Sequence, residues 1–97
     1  MDYADIIIPD IRLVMLRALE QDLGYSHNDS ILQDILETFG HRVSRDQVRT
    51  QIAWLKEQGL VTVKVLESGT HIATVTERGA EVATGRATVP GVKRPRS

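Results

Sequence analysis

Between residues 42 and 56 the sequence gathers Arg42, Ser44, Arg45, Gln47, Arg49, Thr50 and Lys56. These side-chain types suit a polyanion. Arginine and lysine neutralise phosphates, arginine reads guanine edges, and hydroxyls and amides donate to backbone or base. On a helical wheel Arg45, Arg49 and Lys56 share one flank, while Val48, Ile52 and Leu55 point the other way. A helix entering the major groove contacts bases through its N-terminal half. Arg45, Gln47, Arg49 and Thr50 are therefore the candidates for base contact, with Arg42 and Lys56 placed for phosphate. Arg49 lies outside the apolar stripe, so its loss is expected to leave the fold intact. A second set, Lys64, Ser68, Thr70 and His71, falls on or near a hairpin tip. It reaches phosphate or the minor groove, unless the hairpin only closes the core.

These residues need a scaffold, and the chain punctuates one. Pro9 and Asp10 suit a first helical turn, and a helix is predicted from Pro9 to Leu23 with Gly24 beyond it. The preceding Ile6-Ile7-Ile8 run is either a short extended segment or part of the same contact. Ile11, Val14, Met15 and Ala18 form an apolar stripe, which Leu13, Leu16, Leu19 and Leu23 widen around the cylinder. That coverage exceeds the face of an ordinary surface helix. It predicts a homodimer whose interface includes Ile7, Leu13 and Leu16. A polar loop over 25–30 leads to a second helix from Ser30 to Phe39, with Ile31, Leu32, Ile35, Leu36 and Phe39 on its buried side. Ser44 and Gln47 have capping-box spacing and open a third helix, 45–58, followed by Gly59. The pattern then changes period. Residues 60–65 are rich in β-branched residues, and with 71–75 they read as two antiparallel strands around the turn Glu67-Ser68-Gly69-Thr70. Thr76 caps a last helix through Ala83, closed by Gly85.

The predicted fold class is therefore mainly α with a small β-hairpin, in the order α-α-α-β-β-α. The short link 40–43 has the length found between the helices of a helix-turn-helix. Leu55-Lys56-Glu57-Gln58-Gly59-Leu60-Val61 resembles the Leu-x-x-x-Gly-Leu-Val segment of winged helix-turn-helix regulators, where the recognition helix ends and the wing begins. Thr76-Glu77-Arg78-Gly79 resembles the Thr-x-x-Gly after the wing in the MarR and ArsR groups. The resemblance spans about residues 10–85. In size and in its opening Tyr-Ala-Asp-Ile the chain is also similar to small winged-helix proteins of Mu-like prophages. The resemblance implies a transcriptional regulator that binds double-stranded DNA, with hairpin 60–75 as its wing. The competing reading is a winged-helix module that binds protein instead.

The formal charge of −1 conceals an asymmetry. Residues 1–40 carry eight acids and only two basic side chains, Arg12 and Arg17. The basic groups collect after residue 41 and in the last stretch, Lys93-Arg94-Pro95-Arg96. Residues 1–85 read as one domain. Residues 86–97 read as a flexible basic tail, serving either as an arm on DNA or as a solubilising end. The length of 97 residues, with 41% hydrophobic and 26% charged side chains, suits one small globular domain. Without cysteine the chain has no disulfide, thiolate metal site or cysteine nucleophile, and the thiolate ligands of many ArsR members are absent. His27, His41 and His71 show no ligand spacing, so no metal or cofactor is expected. His41 is read as a phosphate contact or as simply exposed. Trp54, off the core stripe, packs under the wing or sits in an interface. No phosphate loop or nucleophile elbow is present, and the chain is read as a non-enzyme. No apolar run approaches a membrane span, no signal peptide is read at the start, and a cytoplasmic location is expected.

Overall fold

The computed structural model describes residues 1–96. Its first helix, α1 (Tyr3–Gln21), starts well before the predicted Pro9. The reason is a capping box. The Asp2 carboxylate accepts the Asp5 N–H at 3.1 Å, and the Asp5 carboxylate accepts the Asp2 N–H at 3.2 Å. The Ile6-Ile7-Ile8 run is therefore helical. Pro9 lies in the helix interior, where it lacks an N–H to donate, while its own carbonyl accepts from the Lys93 N–H at 3.1 Å. The helix stops at Asp22, and Leu23, expected on its stripe, is fully exposed.

The 25–30 segment is not all loop. Ser26–Asn28 forms a strand, β1, and the Asn28 side chain caps α2 (Asp29–Thr38) by accepting the Ile31 N–H at 2.8 Å. Leu32 and Leu36 are buried, but Ile31 and Phe39 are 42% and 66% exposed, against expectation. Ser44 and Gln47 make the predicted capping box of α3 (Arg45–Glu57). Gly59 ends it with φ +74, letting the Leu60 N–H reach the Leu55 carbonyl at 2.9 Å.

The hairpin forms as predicted. In it, β2 (Val61–Val65) pairs antiparallel with β3 (His71–Val75), Val63 opposite Ala73. A third strand joins it, because β1 pairs with the other edge of β3, giving the order β1-β3-β2. The architecture is thus mainly α, four helices with a small three-stranded antiparallel sheet. Thr76 caps α4 (Glu77–Thr84) by accepting the Gly79 N–H at 3.0 Å. Gly79 approaches the Leu60 carbonyl so closely that an added Cβ would lie 2.1 Å from its oxygen. The Thr-x-x-Gly segment is thereby a cap followed by a close backbone approach.

Met15, Leu16 and Leu19 of α1 meet Leu32, Leu36, Val48, Ile52, Leu55 and Leu60 in one core. This corrects the expected dimer interface. Leu13 and Leu16 are 5% and 0% exposed within a single chain, and Ile7 packs partly against the same core. The breadth of the apolar face on α1 is explained by contacts from α2, α4 and the sheet. The reading of 86–97 as a flexible tail is likewise corrected. Val89 and Val92 are buried in the core, and the chain crosses α1 through the Lys93–Pro9 hydrogen bond. Two well-placed valines outweigh the basic composition of this segment. Ser97 lies outside the described residues.

Candidate functional site

The predicted contact residues divide into those that stay available and those the fold consumes. Ser44 and Gln47 belong to the second group. The Ser44 hydroxyl accepts the Gln47 N–H at 3.1 Å, and the Gln47 side-chain oxygen accepts the Ser44 N–H at 2.9 Å. Their side chains start α3. Arg45 donates to the Gln33 side-chain oxygen at 2.8 Å and to the Ser30 hydroxyl at 3.3 Å, yet remains exposed. Gln33 in turn donates to the Val43 carbonyl at 3.0 Å, which steadies the link before α3.

Arg49 has a different role from the one expected. Its Nε donates to Asp29 Oδ2 at 2.8 Å and its Nη2 to the Gly69 carbonyl at 3.1 Å. Asp29 is 1% exposed, and its Oδ2 also accepts the His71 N–H at 3.2 Å. His71 Nδ1 lies 2.9 Å from the Gly69 carbonyl. One carboxylate at the start of α2 thus gathers α3 and the hairpin turn. Burial pushes the Asp29 carboxyl up, but the Arg49 hydrogen bond, the His71 N–H and the Arg49 charge outweigh it and hold it below its ordinary value. Removing Arg49 would strand a buried charge, so the expectation of an unaffected fold is withdrawn. His71 is half-buried in this clamp, and the Thr70 hydroxyl lies 2.9 Å from that of Ser68. Neither is a free reading group.

What remains outward is Arg42, Arg45, Thr50, Lys56 and Lys64, all exposed. Thr50 donates its hydroxyl to the Asp46 carbonyl at 3.1 Å within the helix. Arg42, Lys56 and Lys64 make no ion pair among the described residues. Arg42 stands before α3, Lys56 in its last turn and Lys64 on the neighbouring strand β2. Asp46 and Glu57 share the exposed side of α3 and limit its positive charge.

The other two basic clusters are structural. His41 Nε2 lies 2.7 Å from Asp10 Oδ2, and Lys93 Nζ is 3.5 Å from Asp10 Oδ1. Partial burial pushes the Asp10 carboxyl up, but His41 and Lys93 together outweigh it and hold it low. This places His41 against α1 rather than in solvent. Arg12 stacks 3.6 Å from the Trp54 ring centroid and donates to the Gln51 side chain at 2.7 Å and the Gly91 carbonyl at 3.0 Å. Trp54 is thereby held between Arg12 of α1 and the segment around Gly91. Sequence reasoning missed Asp29. Its signal was an acid directly after Asn28, a residue already able to cap the helix. No group of three potential metal-ligating side chains occurs among the described residues, and no helix among them is long and apolar enough to cross a membrane.

Neither a family model nor a solved structure matches the chain. Two proteins do. The uncharacterized protein gp26 of Escherichia phage Mu is 58% identical over 92 residues, which cover 95% of this chain and 94% of the phage protein. An uncharacterized protein of Haemophilus influenzae is 44% identical over 84 residues, covering 87% of this chain and 81% of its own. At that identity, over nearly the whole of both chains, the protein belongs to the family of phage Mu gp26.

Proposed function

We propose that this protein is a winged helix-turn-helix DNA-binding regulator acting in the cytoplasm, with α3 in the major groove and β2–β3 as the wing. The observation that carries this reading is the set of exposed cations, Arg42, Arg45, Lys56 and Lys64, on α3 and the two segments flanking it. The order of elements supports it: two helices joined by a short link, then a hairpin, with β1 closing the sheet. Phosphate contacts come from Arg42, Lys56 and Lys64, and base contacts from Arg45 and Thr50. Arg49 orients the wing rather than reading DNA.

The test is fluorescence anisotropy with DNA flanking the gene, at two salt concentrations. Binding is expected to weaken as salt rises. Lys56→Ala and Arg42→Ala each reduce affinity for all sequences and lower the salt slope by about one. Arg45→Ala costs about 1–3 kcal/mol and relaxes preference at one base. Absence of salt-sensitive binding by the parent would overturn the reading. A protein-binding module is then the better account. One observation favours it, namely that the exposed large apolar side chains Leu23, Tyr25, Ile31 and Phe39 all lie outside α3.

A further inference from the structure

The strap formed by residues 86–96 buries its apolar side chains and leaves its charges outside. It holds Arg86, Lys93, Arg94 and Arg96 and no acid. Val89 and Val92 are buried, the Lys93 N–H donates to the Pro9 carbonyl, and Arg12 donates to the Gly91 carbonyl. The chain then returns to the end of α4, where a Cβ added to Gly85 would lie 3.8 Å from Pro95 Cγ. Arg86 follows Gly85, and Arg94 and Arg96 stand on either side of Pro95. This contact therefore gathers three arginines from both ends of the strap. All three are exposed and make no ion pair among the described residues. Lys93 differs, because Asp10 holds it. Glu81, the acid of α4 nearest in the chain, pairs with none of them. Like charges gathered without a partner acid favour a polyanion.

The strap also borders α3. Arg49 and Gln51 emerge on opposite sides of the stripe Val48, Ile52 and Leu55. Arg49 ties its flank to the hairpin turn through the Gly69 carbonyl. On the other flank Gln51 accepts from Arg12, which also donates to the Gly91 carbonyl. There a Cβ on Gly91 would meet Trp54 Cζ2 at 2.7 Å. Helix α3 thus lies between the hairpin and the strap. Arg94 is three residues from Gly91, so its backbone stays within about 11 Å of that contact. We infer that the strap is a second wing, on which Arg86, Arg94 and Arg96 bind phosphates of the duplex that α3 reads. The inference rests on the DNA-binding reading above. A duplex carries one negative charge per ~1.7 Å of its axis, so DNA seated on α3 carries phosphates past both flanks. The hairpin brings one lysine, Lys64, to its side, and the strap brings three arginines to the other. A guanidinium matches phosphate with two parallel hydrogen bonds. Because the strap is already docked, little ordering entropy is lost on binding.

The experiment is fluorescence anisotropy of the full chain with the duplex flanking its gene, across about 50–200 mM salt. The triple variant Arg86→Ala/Arg94→Ala/Arg96→Ala removes only exposed side chains, and circular dichroism verifies that it is folded. It is expected to bind roughly 30-fold more weakly at the middle of that range, with a salt slope lower by about two or three. Its preference among duplex sequences is unchanged, because phosphates carry no base identity. Arg17→Ala, an exposed cation of α1 that makes no ion pair among the described residues, controls for net charge and leaves the slope as it was. Lys56→Ala, on α3 itself, lowers the slope by about one. A triple variant with the parent's affinity and slope, beside a weakened Lys56→Ala, overturns the strap inference alone. An equal loss per charge at Arg17 also overturns it, since net charge then explains the effect. A parent without salt-sensitive binding removes the inference together with the reading on which it rests.

Discussion

Two carboxylates organise the two ends of the helix pair, and they work under different conditions. Asp29 is sealed in the interior and holds Arg49, the His71 N–H and, through Arg49, the Gly69 carbonyl. Asp10 is 30% exposed at its side chain and holds His41 and Lys93. Each carboxyl is held below its ordinary value by its partners. The difference lies in what happens when a partner is lost. Around Asp10, water replaces the missing group. Around Asp29, water has little access, and the charge is left uncompensated. The hairpin next to α3 therefore depends on one internal ion pair. The link before α3 is held by a contact that water can share.

Arg49→Ala tests the contrast most severely. Breaking a buried pair costs about 3–5 kcal/mol. Arg49 itself is 37% exposed, which lowers the expectation to about 2–3 kcal/mol. For a chain this size that is a fall in Tm of roughly 10–20 °C. Hydrogen exchange should rise first in the turn around Gly69. A loss below about 0.5 kcal/mol would erase the distinction between the two sites.

Acid titration sharpens the same comparison. Because the folded-state carboxyl of Asp29 is depressed, its contribution is present above the unfolded value and is lost as pH falls through the folded one. The urea midpoint of the parent should hold from neutral pH down to about 5 and drop below about 4. Asp29→Asn is less stable at neutral pH and shows a shallower acid slope. An unchanged slope would mean that Asp29 does not carry the acid sensitivity.

Smaller effects are expected at the exposed site. Asp10→Asn should cost about 1 kcal/mol, since one hydrogen bond and one charge interaction are weakened while solvent remains near. Lys93→Ala should cost no more than about 0.5 kcal/mol and should fade in added salt. A larger loss at Lys93 would show that the docked C-terminal segment depends on this ion pair rather than on Val89 and Val92.

The features legible in advance depend on neighbours in the chain. Ser44 and Gln47 are three residues apart and satisfy each other's backbone, so their spacing announces the start of α3. Gly59 after an apolar helix and a β-branched run at 61–65 announce the change to a strand. The start of α1 was legible too, in Asp2 and Asp5, but Pro9 drew attention to the wrong turn. β1 was not legible. Ser26-His27-Asn28 has no apolar alternation, and it is a strand only because β3 offers it an open edge.

The functional side chains follow the same division. By composition and period alone the chain determines its helices, its hairpin, the inward stripe of Val48, Ile52 and Leu55, and the placing of its cations after residue 41. These follow from backbone geometry and from interactions a few residues long. Only the tertiary structure decided which cations stay free. Arg49 meets Asp29 across 20 residues, Arg12 meets Gly91 across 79, and His41 meets Asp10 across 31. On a helical wheel, Arg49 is as outward as Arg45. Its engagement depends on a buried acid from another helix, and burial is a property of the assembled core, which no local spacing encodes.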